Sequence, residues 1–315
     1  MGNLEATARK VIQQCLAPKE REVFLVVTDP PTRIIGETLY KAAVSLGLQA
    51  HLLVMPETEK SGAEPTALVA EAMKSSQIVI CPTKHSLTHT SARKEACARG
   101  ARIATMPGIT EDMFLEGAIT ADYKKLAELT DRITEILSAG SKARIEKEGR
   151  VLELSIEGRR GVSSNGLYHT PGSFGNLPTG EAYIAPVEGS AEGIILIDGS
   201  LAEYGKLRGP LEVVVHKGLA VEFRGPEADW IQGILGEREE ARNVGELGIG
   251  TNDKARLTGI ILEDEKVYGT VHIAFGTNSG FGGKVSAGVH IDGIILKPNL
   301  WVDDRRILKD GEFVL

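Results

Sequence analysis

The segment VHIAFGTNSGFGGKVSAGVHID, residues 271–292, joins two histidine-bearing apolar runs through a glycine-rich loop. His290 and Asp292 stand two apart in VHIDGIIL, and residues i and i+2 of a strand project from one face. An imidazole and a carboxylate on one face can bind the same ion or two adjacent ions. His272 lies in GTVHIAFG, a second strand-like run, and the glycine-rich connection predicts that the two strands are neighbours. Two histidines and a carboxylate form a donor set for a divalent metal. Glu181 in GNLPTGEAYIAP and Glu246 in NVGELGIGTN sit in segments short of other charge. A buried glutamate calls for a compensating cation. Each residue alone has an ordinary structural explanation; the combination points to metal. Glu181, Glu246, His272, His290 and Asp292 are therefore the expected ligands, enough for two ions that share carboxylates and activate water.

Competing chemistries lack their signatures. After the first apolar run the chain reads TDPPTR, with no GxGxxG. Gly283-Lys284 is followed by Val285, not by the Ser or Thr of a P-loop, and a strand-like run follows where a phosphate loop would open a helix. There is no HExxH. Glu265 in LEDEK is a weak candidate for proton transfer and reads more readily as a solvated turn residue. His169, beside Tyr168, reads as a turn histidine, with a place in the cleft as the alternative. His216 reads as a surface residue at a strand end. His85 and His89 belong to a loop, Asp198 to a strand turn, and Trp230 and Trp301 to packing.

The elements that position these residues fall into two halves. Up to about residue 143, apolar runs (21–29, 49–56, 77–83, 101–107) alternate with helical spacings (32–47, 64–76, 91–100, 109–117, 119–140). That alternation predicts an α/β domain with a parallel sheet over residues 1–143. From 144 to 315 short alternating runs, KARLTGIILEDEK among them, are broken by most of the chain's 36 glycines. They predict a mainly antiparallel, β-rich (α+β) metal-binding domain with one helix at 227–239.

With 42% hydrophobic and 25% charged residues and a net charge of −7, the composition is that of a soluble globular protein. The acidic balance argues against nucleic-acid or acidic-membrane binding. Cys15, Cys81 and Cys97 are odd in number and lack CxxC spacing, which predicts reduced thiols and a cytoplasmic location. The first sixteen residues read as an amphipathic helix, not a signal peptide, and no run approaches a membrane span. Met1-Gly2 is followed by Ala6, not the Ser or Thr of a myristoylation signal.

Taken together, NLPTGEAYIAP, NVGELGIGTN, the EDEK–HIAFG run and HID resemble the M29 family of metallo-aminopeptidases, of the aminopeptidase T type. The resemblance implies an α/β domain followed by a β-rich catalytic domain, a homodimer, and zinc or cobalt, one or two ions, on the five ligands above. It implies removal of N-terminal residues from peptides. The chain departs from that family at Gly180, where a glutamate is expected, in lacking a tyrosine after the His272 run, and in a short His272–His290 segment. The 2,5-dihydroxypyridine dioxygenases are a similar branch. They imply a single Fe(II) on His272, His290 and Asp292, with Glu181 and Glu246 as supporting or acid–base groups. The expectation is thus a peptide hydrolase, with a dioxygenase acting on a small dihydroxylated aromatic or pyridine ring as the alternative. A non-enzymatic binding protein with a vestigial site is the third reading.

Overall fold

The computed structural model describes residues 2–315, so Met1 of the Met1-Gly2 pair lies outside the described residues. The chain forms two compact units: residues up to Ala127 with Gly166–Thr179, and Glu128–Asn165 with Gly180–Leu315.

In the first unit the apolar runs become parallel strands Val23–Thr28, Gln49–Val54, Ile78–Thr83 and Arg102–Pro107. Helices Arg33–Ser45, Ala67–Lys74 and Ser91–Ala98 connect them. Local chemistry sets the helix ends. Thr90 accepts a hydrogen bond from the Arg93 amide at one N-terminus, and Gly47, at φ 78°, follows the Arg33–Ser45 helix. Ile78–Thr83 is buried throughout, as a central strand covered on both faces must be. A fifth strand, Phe174–Asn176, joins from the returning segment and pairs parallel with Arg102–Pro107. Three residues with a central glycine carry too little pattern to announce it.

The second unit is built from two antiparallel sheets sharing one core. In the seven-stranded sheet the order is Gly205–Lys206, Ser200–Leu201, His290–Ile295, Val271–Gly276, Val244–Gly250, Glu181–Ile184, Val162–Ser164. Alternation sends Ala182, Ile184, Leu247, Ile249, Val271, Ile273, Phe275, Ile291 and Ile295 into the core. There they join Ile145, Leu152, Leu154, Ile195, Val213 and Val215 of the eight-stranded sheet. Each such buried side chain contributes on the order of 1.5–3 kcal/mol. That face holds the sheet in place, and the opposite face is free for chemistry.

Three expectations differ from the structure. The two units do not divide at a single cut after residue 143: the helix Tyr123–Ala139 runs through the change of unit, and residues 166–179 return to the first unit. The helix expected at 227–239 breaks at Gly236, whose φ of 62° ends the helix Ala228–Leu235 before a short turn at Glu239–Arg242. KARLTGIILEDEK is a loop ending in the short helix Ile261–Asp264, not a strand. Its acidic side chains take the backbone donors that a sheet would have used. Glu263 accepts from the Arg256 amide, and Asp264 from the amides of Thr258 and Gly259 and from the Ser200 hydroxyl. Among the described residues no helix is long and apolar enough to cross a membrane.

Candidate metal centre

The alternation that buries one face of the seven-stranded sheet assembles the site on the other. Glu181 and Tyr183 share a face of one strand, Glu246 and Gly248 of the next, His272 and Ala274 of the third, His290 and Asp292 of the fourth. Register aligns them: Glu246 and Asp292 flank Ala274, and His272 lies opposite Gly248. The small residues are required. A Cβ on Gly248 would stand 1.9 Å from His272 Nε2. A register irregularity between Val244 and Glu246 sets the carboxylate in this row.

All five expected residues meet. Glu246 spans both imidazoles, with Oε1 3.3 Å from His272 Nε2 and Oε2 3.4 Å from His290 Nε2. Asp292 Oδ1 lies 3.4 Å from His290 Nε2, and Glu181 Oε2 lies 3.4 Å from His272 Nε2. His290 Nδ1–H donates to the Thr277 carbonyl at 2.8 Å, which turns Nε2 toward the carboxylates. A carbonyl behind a histidine is a common support for metal ligands.

Two groups offer ligand atoms within 4.8 Å of one another: Glu246, His272 and Asp292, and Glu181, Glu265 and His272. Glu181 Oε2, His272 Nδ1 and Asp292 Oδ1 are buried without a hydrogen bond. Buried carboxylate oxygens without donors are costly, and a cation relieves them. Oxygen and imidazole donors so arranged suit a divalent ion.

Two neighbours were misread or missed in the sequence. Glu265 is not a solvated turn residue: its side chain is only 15% exposed and it belongs to the second group. Lys266 is fully buried, with Nζ 2.7 Å from Glu181 Oε1 and also bonded to Glu265. Nothing in the spacing of LEDEK distinguishes these two from a charged surface turn.

The charges act on one another. Burial opposes ionisation of Asp292, but His290, then His272 and Lys266, bring its carboxyl down to about 2. Burial also works against a charged His272, yet the hydrogen bond to Glu246 and the charges of Glu181 and Glu246 lift it to about 9. Burial, reinforced by the Glu181 charge, raises Glu265 to about 8. Lys266 is held above its ordinary value by Glu181 and Glu265 despite its burial.

The remaining histidines lie elsewhere. His169 is exposed in the first unit, its Nε2 2.7 Å from the Gln14 carbonyl, and so is not among these groups. His216 is exposed and pairs with Glu192. His85 and His89 lie in a loop of the first unit. The loop between His272 and His290 runs into a strand, as the sequence indicates, not into a helix.

The family described as NicX, 2,5-dihydroxypyridine 5,6-dioxygenase, matches residues 3–315. The chain belongs to the NicX family. A curated 2,5-dihydroxypyridine 5,6-dioxygenase of Pseudomonas putida KT2440 is 25% identical over 170 residues, 49% of this chain and 48% of the relative. The match thus spans about half the length of that relative. The solved 2,5-dihydroxypyridine dioxygenase from the same organism superposes with a TM-score of 0.85 at 18% identity, covering 99% of this chain and 97% of that one. Wild-type AmpT from Thermus thermophilus superposes at 0.75 and 18% identity, covering 100% and 99%. At such identities the two structures bear on fold alone, and both share the α/β and antiparallel β plan of this NicX-family chain.

These comparisons correct the peptide-hydrolase expectation. The family spanning the chain and the curated relative are both named for a dioxygenase, and the aminopeptidase likeness is one of fold. The Gly180 departure agrees with the correction. Its φ of 125° favours glycine, so a glutamate there would be strained. The chain is a member of an enzyme family and carries groups able to bind a metal.

Proposed function

We propose that this chain opens a dihydroxylated pyridine or benzene ring with dioxygen, holding one Fe(II) ion through His272, His290 and Asp292. The observation that carries the reading is the convergence of two imidazole Nε2 atoms and carboxylate oxygens on one sheet face, in a chain matched along its length by the dioxygenase family. Two histidines and one carboxylate are the set used for non-haem ferrous oxygenases. A ferrous ion held there supplies the redox chemistry that lets dioxygen react with a closed-shell ring.

The surrounding residues have separate tasks. The Thr277 carbonyl fixes the His290 ring, and Gly248 leaves His272 its space. Glu246 brings an oxygen within 3.3 Å of His272 Nε2 and 3.4 Å of His290 Nε2, so it stands beside the ligand atoms themselves. The Lys266 ammonium compensates Glu181, which lessens the need for a second cation there. Glu265, raised to about 8, is suited to exchange a proton with a ring hydroxyl near neutral pH.

The test is anaerobic loading with Fe(II), followed by oxygen uptake on adding 2,5-dihydroxypyridine. About one iron per chain and oxygen consumed one-to-one with substrate are expected. His290→Ala and Asp292→Ala should each lose iron and reduce turnover by roughly 100-fold or more. Two ions per chain with no oxygen uptake would overturn the proposal.

A further inference from the structure

We infer that Phe281 determines specificity by packing against a planar ring bound over the metal-binding face, an inference that rests on the ring-opening reading above. The loop of residues 277–289 leaves the His272 strand and re-enters at the His290 strand. It does not project straight outward. The Phe281 ring meets the His290 ring edge-on, with centroids 6.1 Å apart at 89°, and the Tyr183 ring at 5.4 Å and 81°. Tyr183 belongs to the Glu181 strand, which lies three places along the sheet from the His290 strand. The loop therefore folds back across the face that carries Glu246 and His272, and Phe281 sits above it.

Phe281 is held there by the loop's polar anchors. Glu188 Oε1 accepts from Asn278 Nδ2 at 3.1 Å and from the Lys284 amide at 2.8 Å. Asn278, itself buried, accepts from the Val285 amide at 2.8 Å, and Arg159 binds both Glu188 and the Gly282 carbonyl. A Cβ on Gly283 would stand 2.0 Å from the Asn278 side chain, so the turn closes tightly on that residue. The benzyl group makes none of these anchoring bonds and remains half-buried. On the edge-strand side Phe281 also lines a separate groove with Arg160, Gly161, Val162, Ser163 and Gly282, which includes none of the metal-binding residues. An aromatic edge or face gives a planar ring an orientation that an aliphatic side chain of similar size does not.

The test compares wild type with Phe281→Ala, Phe281→Leu and Phe281→Tyr in the Fe(II)-loaded protein. The readouts are anaerobic calorimetric binding of 2,5-dihydroxypyridine, KM and kcat by oxygen uptake, and iron per chain. Phe281→Ala should raise the anaerobic Kd and the KM by roughly 3- to 10-fold. Most of the loss in kcat/KM should fall on KM, with iron content retained. Phe281→Tyr should restore binding and Phe281→Leu should not. An unchanged Kd in Phe281→Ala, or equal rescue by Leu and Tyr, would overturn the inference. So would loss of iron in Phe281→Ala, which would make the ring a prop for His290. If wild type binds the ring but takes up no oxygen, the dioxygenase reading fails while the Kd comparison still decides the role of Phe281. If wild type binds no ring at all, both fail.

Discussion

At the scale of single residues, the most informative position is one with no side chain. Gly248 lies where a methyl group would collide with His272 Nε2. Gly248→Ala should displace the imidazole and weaken metal binding by about 10- to 100-fold, read by chelator competition, while the fold persists. The imidazole also sets a pH dependence. In metal-free protein His272 is raised to about 9 from 6.5, and Glu265 to about 8 from 4.5. A raised value means stability present below the unfolded pKa and lost as pH climbs through the folded one. The melting temperature of chelator-treated protein should therefore fall as pH rises, from about 4.5 to 8 through Glu265 and from about 6.5 to 9 through His272. Metal binding needs neutral imidazoles and should strengthen over the same range. The gap between loaded and metal-free melting temperatures should widen, and a constant gap would contradict the assigned charges. Asp292 acts at the acid end, where its contribution, present above about 4, is lost as pH falls toward 2.

At the scale of elements, the short helix Ile261–Asp264 leads directly into Glu265 and Lys266. Asp264 is fully buried and accepts from the Ser200 hydroxyl, the Thr258 amide and hydroxyl, and the Gly259 amide. Asp264→Ala would strand these donors, each worth on the order of 1–3 kcal/mol when buried unpaired. A loss of about 2–4 kcal/mol is expected in urea denaturation. Because Glu265 and Lys266 follow directly, metal affinity should fall as well. The acidic run Glu263, Asp264, Glu265 looks uniform in sequence. In the structure two members tie down a loop and the third turns to the metal-binding face. Only the positions of their hydrogen-bond partners separate them.

At the scale of the whole molecule, all three thiols lie in the first unit, which buries them unequally. Cys15 and Cys81 are fully buried, and burial pushes the Cys81 thiol up to about 12 and that of Cys15 higher still. Cys97 is half-buried, its thiol raised less. A disulfide reagent should modify one thiol slowly in the native protein and all three after denaturation, since thiolate fraction and access together control the rate. Rapid native modification of two or three would contradict the packing of the first unit. The second unit makes the division of labour plain. One face of its seven-stranded sheet is apolar and closes the core, and the other carries carboxylates and imidazoles over small residues.

Much of this was written into local pattern. Alternation placed His290 with Asp292, apolar runs marked the parallel strands, and Glu181 and Glu246 stood out as charges among glycine and apolar residues, because strand periodicity and burial act over a few neighbouring positions. Tertiary structure alone decided how Glu181, 109 positions before His290 in the sequence, comes to share a face with it. It also decided that Lys266 and Glu265 turn inward, that residues 174–176 complete a distant sheet, and that Phe281 folds over the site. Each of these depends on pairing and register between remote segments, where the free energy comes from contacts no local stretch contains.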